Sequence, residues 1–132
     1  MNIASLELCK ELYELSDYNF DGTDYRWYCL PITITKGSSP ELDYSNWQVK
    51  HVSYRGKYSV IHYPAYDLGF LLRKLPETTS ITKQVLNGIG ARHQYNAGWQ
   101  ATETRWSGFE ADTPEDALCS LAIELFKQKV LK

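Results

Sequence analysis

The chain has 132 residues, with 14 Lys and Arg against 16 Asp and Glu and a formal net charge of −2. It is sized for one domain and carries no broad basic surface for nucleic acid or an anionic membrane. Its three cysteines, Cys9, Cys29 and Cys119, are widely spaced with no CxxC pair, which predicts reduced, buried thiols and a cytoplasmic setting. No apolar run reaches membrane-spanning length, and residues 1–15 carry acidic side chains inside an amphipathic pattern rather than the layout of a signal peptide.

Residues 5–15 have Ser5 at a helix N-cap position, Glu7 in the first turn, and Leu8, Cys9, Leu12 and Leu15 at helical spacing. A polar break follows, and residues 25–35 are aromatic and β-branched, predicting a strand. Pro31 cannot donate to a ladder, so that strand should be an edge strand or bulged there. Residues 36–46, with Gly37, Ser38, Ser39 and Pro40, read as a loop.

Residues 47–54 and 57–63 are two β-like runs separated by Arg55 and Gly56, the spacing of a tight hairpin, and period-2 alternation does not choose its buried face. From Pro64 a helix is expected to residue 75, with Leu68, Leu71, Leu72 and Leu75 as its apolar stripe and Pro76 as its stop. Residues 77–90 fit either a short helix or an irregular strand. A second hairpin is expected from residues 91–95 and 99–106 around Asn96, Ala97 and Gly98, followed by a short extended piece over 109–111.

The last helix has the clearest signals. Thr113 stands at the N-cap, Pro114 at the first helical position and Asp116 where a capping box places its carboxylate. Lys127, Lys129 and Lys132 complement the dipole at the far end. Its apolar residues, among them Leu118, Leu121, Ala122, Leu125 and Phe126, leave only a narrow polar stripe, so it should be covered on more than one side. Hairpins joined to helices predict a single α+β domain over 1–132: an antiparallel sheet of about four to five strands, the last two helices on one face, and an additional N-terminal helix.

Few residues nominate chemistry. Asp17, Asn19, Asp21 and Gly22 open like an EF-hand calcium loop, but Asp24 and Tyr28 stand where an apolar residue and a bidentate glutamate belong. A metal-free Asx turn is the expectation. His51, His62 and His93 lack the spacing of a metal pair, there is no GxSxG elbow, and Gly88-Ile89-Gly90 lacks the third glycine of a phosphate loop. No catalytic residue, metal ligand or cofactor is assigned, and an enzyme would need a site assembled only in three dimensions.

Ten Tyr and four Trp exceed what one small core buries, and exposed aromatics beside Arg are residue types of binding hot spots. The candidate binding residues are Trp47, His51, Arg55 and Tyr58 on the first expected hairpin and Arg92, Trp99, Arg105 and Trp106 on the second. A protein partner is expected, with a small ligand or nucleotide as the alternative, nucleic acid below both, and a monomer or small homo-oligomer as the assembly.

Residues 66–76 (YDLGFLLRKLP) and 109–126 (FEADTPEDALCSLAIELF) together resemble segments of small uncharacterised proteins encoded in bacteriophages and prophages. In those proteins a leucine helix ending in Leu-Pro precedes a hairpin and a final helix. Glu110-Ala111-Asp112-Thr113 is also similar to the strand-to-helix turn of HicB-type antitoxins, although the N-terminal helix and second hairpin depart from that pattern. The resemblance implies a phage-type origin and a domain plan, with no reaction attached. The resulting expectation is a non-enzymatic accessory protein that binds a host or phage macromolecule through aromatic hairpins.

Overall fold

A computed structural model describes residues 2–54, 61–77, 79–86, 92–102 and 105–131, with 36, 82–86, 92–96, 99–102 and 105–108 as backbone only. In chain order the elements are α1 (Leu6–Leu15), β1 (Tyr25–Cys29), β2 (Ile32–Lys36), β3 (Ser39–Asp43), β4 (Trp47–His51), β5 (His62–Pro64), α2 (Leu68–Lys74), β6 (Thr79–Leu86), β7 (Arg92–Thr102), β8 (Arg105–Ala111) and α3 (Pro114–Lys127). The chain is α+β, and among the described residues all strand pairing is antiparallel, in three sheets, β4-β1-β5, β2-β3 and β6-β7-β8. The expected Arg55-Gly56 turn, the expected strand over 57–60 and Gly88-Ile89-Gly90 lie outside the described residues.

Helix α3 organises the core. The Thr113 side chain accepts the Asp116 amide at 3.2 Å, and Pro114 occupies the first turn, as the N-cap pattern requires. Leu118, Leu121, Ala122 and Leu125 are fully buried. Sheet β6-β7-β8 packs along this helix, and α1 and α2 also pack against it. Covering on several sides explains why its polar stripe is so narrow.

Two expected hairpins take other forms. β1 pairs with β4 on one side and β5 on the other, from Tyr25↔His51 to Cys29↔Trp47 and from Arg26↔Pro64 to Tyr28↔His62. β4 and β5 therefore run parallel to each other with β1 between them, and strands so placed are not joined as a tight hairpin. Further on, β7 runs unbroken through residues 96–98, with Gly98 paired to both Ser80 and Gly108. Ala97 is fully buried in the core, so a turn there would forfeit its packing. Residues 79–86, undecided between helix and strand, form β6 because that register gives β7 its second neighbour.

Residues 36–46 are not one loop. β2 and β3 form a ribbon from Ile32↔Asp43 to Lys36↔Ser39. Gly37 has φ +64 at the first central position of its two-residue turn, where a type II′ hairpin turn calls for glycine.

Helix α2 begins later than expected. Pro64 ends β5, while Asp67 is the N-cap and its carboxylate accepts the Phe70 amide at 2.8 Å. Leu71 and Leu75 are buried, but Leu72 is 42% exposed. Phe70 takes the inward position instead, stacked on Tyr66 at 5.3 Å and edge-on to Phe20 at 6.2 Å. Turning Phe70 inward turns Leu72, two positions on, outward.

Candidate functional site

The β1–β4 and β2–β3 ladders form one long hairpin interrupted at a single place. Between Cys29↔Trp47 and Ile32↔Asp43, two residues, Leu30 and Pro31, face three, Tyr44, Ser45 and Asn46. The Leu30 amide still donates to Asn46 O at 2.8 Å. Pro31 has no N–H to continue the ladder, and the extra residue opposite makes the irregularity a bulge. Around it, Asn46 Nδ2 donates to Leu30 O at 3.2 Å and Cys29 Sγ donates to Tyr44 O at 3.2 Å.

Beyond the bulge the ribbon extends about 17 Å at the usual rise of a five-residue strand. β2 and β3 pack substantially only on each other among the described elements. Ile32, Leu42 and Tyr44 are 49%, 51% and 54% exposed. The register places Ile32 with Asp43 and Ile34 with Glu41 on one face, and Thr33 with Leu42 on the other. An isolated two-stranded ribbon is marginal in water, because it buries too little to offset its ordering entropy.

At the ribbon's root, β4-β1-β5 has two faces. One carries Tyr25, Trp27 and Cys29 with Trp47, Val49, His51 and Tyr63, because directly paired residues share a face. Trp47 packs on Tyr63 at 5.8 Å, Tyr25 on His51 at 5.4 Å and Tyr13 of α1 on Tyr63 at 6.5 Å. Trp27 packs against the core, and its Nε1 is buried with no hydrogen-bond partner among the described residues.

The other face carries Arg26 and Tyr28 with Gln48, Lys50, His62 and Pro64. The ring of Tyr28 touches Tyr54 at 5.4 Å and His62 at 5.6 Å, and Lys50 Nζ sits 5.7 Å from the Tyr54 ring centroid. Tyr54 thus carries the start of the crossover over this face. Arg26 Nε donates to His62 Nδ1 at 2.8 Å, and Nη1 pairs with Asp21 Oδ1 at 2.5 Å. Burial works against ionisation of Asp21, but the Gly22 amide and Arg26 outweigh it and hold the carboxyl below its usual range. For His62, burial and then Arg26 lower the pKa, against an opposing pull from Asp21.

Only part of the expected binding set comes together. Trp47 and His51 share a face of β4, but the His51 ring closes a local turn, with Nδ1 accepting the Ser53 amide at 3.1 Å. Arg55 and Tyr58 lie outside the described residues. Arg92 and Trp99 are on β7 and Arg105 and Trp106 on β8, in a different sheet. The Arg26–His62 contact was not read from the sequence because it spans 36 positions and depends on the crossover; the ribbon was hidden by its loop-like Gly-Ser-Ser-Pro composition.

The turn after α1 orders itself by backbone bonds: Tyr18 N donates to Tyr13 O at 2.9 Å, and Asp17 and Tyr18 have φ values of 54° and 63°. Asp21 within it is engaged by Arg26. No group of three or more His, Cys, Asp or Glu suited to a metal ion occurs among the described residues. No described helix is long and apolar enough to cross a membrane. The chain matches no protein-family model, no curated protein and no solved structure.

Proposed function

We propose that the protein is a non-enzymatic accessory protein of phage type, acting in the cytoplasm of a bacterial host by docking a protein partner on the projecting β2–β3 ribbon. The observation that carries this reading is the ribbon's isolation: exposed Ile32 and Leu42 lie on two strands that pack substantially only on each other among the described elements, with exposed Tyr44 just beyond β3. A partner segment that packs there supplies the burial the ribbon lacks.

The formal net charge of −2 favours a protein over a nucleic-acid partner. The resemblance of residues 66–76 and 109–126 to phage-encoded proteins supports the accessory role.

The test compares capture from a bacterial lysate by wild type and by the double variant Ile32→Asp, Leu42→Asp, with Leu72→Asp as an exposed control away from the ribbon. The expected result is a defined partner retained by wild type and the control and lost by the double variant, with all three giving the same far-UV circular dichroism. Equal capture by all three proteins overturns the docking site.

A further inference from the structure

Arg26 is a charged side chain that is only 11% exposed, and its contacts join separate parts of the chain. Its Nη1 holds Asp21 from the loop after α1, its Nε donates to His62 Nδ1 on β5 at 2.8 Å, and its guanidinium lies 6.0 Å from the Tyr13 ring centroid of α1. β5 has three paired residues along β1, and this side-chain bond adds a tie to that short ladder.

Arginine stays protonated, so Nε–H is always a donor, and His62 Nδ1 accepts only while it carries no proton. The neutral His62 ring therefore bears its proton on Nε2. We propose that Arg26 and His62 form an acid-sensitive latch, in which protonation of His62 from solvent sets N–H against N–H and moves the ring away from Arg26 and Tyr28.

The described charged and titratable groups on this face are Arg26 beside His62 on β1, Asp21 from the preceding loop, Tyr28 against the imidazole with Tyr54 on its other side, and Lys50 across β1 over Tyr54. Lys10 of α1 lies over the neighbouring Tyr63 ring at 5.7 Å, on the opposite sheet face. Asp21 favours the imidazolium; burial and Arg26 oppose it and together prevail. Released, His62 uncovers the Tyr28 ring that it packs on at 5.6 Å, at the root of the projecting ribbon. The latch does not depend on the identity or existence of a docking partner.

Long-range 1H–15N NMR through a pH titration of the full chain tests it. His62 is expected as the Nε2–H tautomer at neutral pH, with a midpoint below the ordinary 6.5 and Tyr28 ring protons shifting at that same midpoint. Arg26→Gln should move the His62 midpoint up. His62→Gln, which keeps an acceptor for Arg26 but cannot titrate, should abolish the Tyr28 transition, and this variant decides the matter if Arg26→Gln does not fold. An Nδ1–H tautomer, a midpoint at or above the ordinary value, or a Tyr28 transition surviving in His62→Gln overturns the latch.

Discussion

Asp116 Oδ1, in the first turn of α3, accepts the backbone amide of Ser5 at 2.7 Å across 111 residues of sequence. The capping-box spacing directs this carboxylate toward its own helix start. The structure directs it to the start of α1, so the two helix N-termini are joined there. Thr113 meanwhile caps α3 alone by accepting the Asp116 amide.

The first prediction follows from which atoms make that bond. Asp116→Ala should lower stability by about 1.5–3 kcal/mol, as expected for a hydrogen bond to a charged group. Ser5→Ala should stay within about 0.5 kcal/mol, because the Ser5 side chain makes no cap bond and its amide survives the substitution. Urea denaturation of the two variants checks the contrast; a large loss in Ser5→Ala would show that the hydroxyl matters after all.

The second concerns the core around α3. Leu121 and Leu125 are fully buried, so truncating either to Ala should cost about 2–5 kcal/mol. Lys127 pairs with Glu11 at 3.5 Å, with both side chains about half exposed, and Lys127→Ala should change stability by no more than about 0.5 kcal/mol. Denaturation midpoints test this together with sedimentation. Leucine variants that keep the wild-type midpoint but change sedimentation would make this face an oligomer contact.

These two cases show where the sequence was legible. The start of α3 was readable because Thr113, Pro114 and Asp116 report on their own helix, and a nearly complete apolar circumference announces covering on several sides. The Asp116–Ser5 bond was not, since nothing local ties position 116 to position 5. The same limit applies to β4 and β5: the β-like runs expected over 47–54 and 57–63 contain β4 but reach β5 only at residues 62–63, and whether neighbouring strands in sequence pair directly or pass across a third is settled by β1, some twenty residues earlier. Pro31 was informative because a missing N–H has a local consequence, and the ladder breaks beside it. Of the candidate binding residues, Trp47 and His51 were placed together, but Arg26 and His62 entered only through tertiary pairing.

The third prediction concerns the thiols. Burial raises the Cys9 pKa to about 11 and pushes Cys119 well above its ordinary value. The thiolate is the reactive form, so both should resist an aromatic disulfide reagent at pH 8 in the native protein. Cys29 is also buried, but it bonds to Tyr44 O at the ribbon's root and should react first as that end opens. Mass spectrometry of quenched time points gives the order, and Cys119 labelling ahead of Cys29 would contradict it.

The last prediction returns to the ribbon. Because β2 and β3 lack a packed face among the described elements, their amides should exchange with solvent faster than those of β1, which is paired on both sides. Gly37 has φ +64 and nothing within 4 Å of an added Cβ, so Gly37→Ala meets a backbone penalty of about 1–2 kcal/mol without a steric clash. That penalty should fall on local opening of the ribbon: exchange of β2 and β3 amides accelerates several-fold, while β1, α3 and the global unfolding midpoint stay near wild type. Hydrogen exchange read by NMR on both proteins separates local from global effects. If Gly37→Ala lowers the global midpoint as much as it accelerates the ribbon, the ribbon is part of the cooperative core, and its availability as a separate docking element is lost.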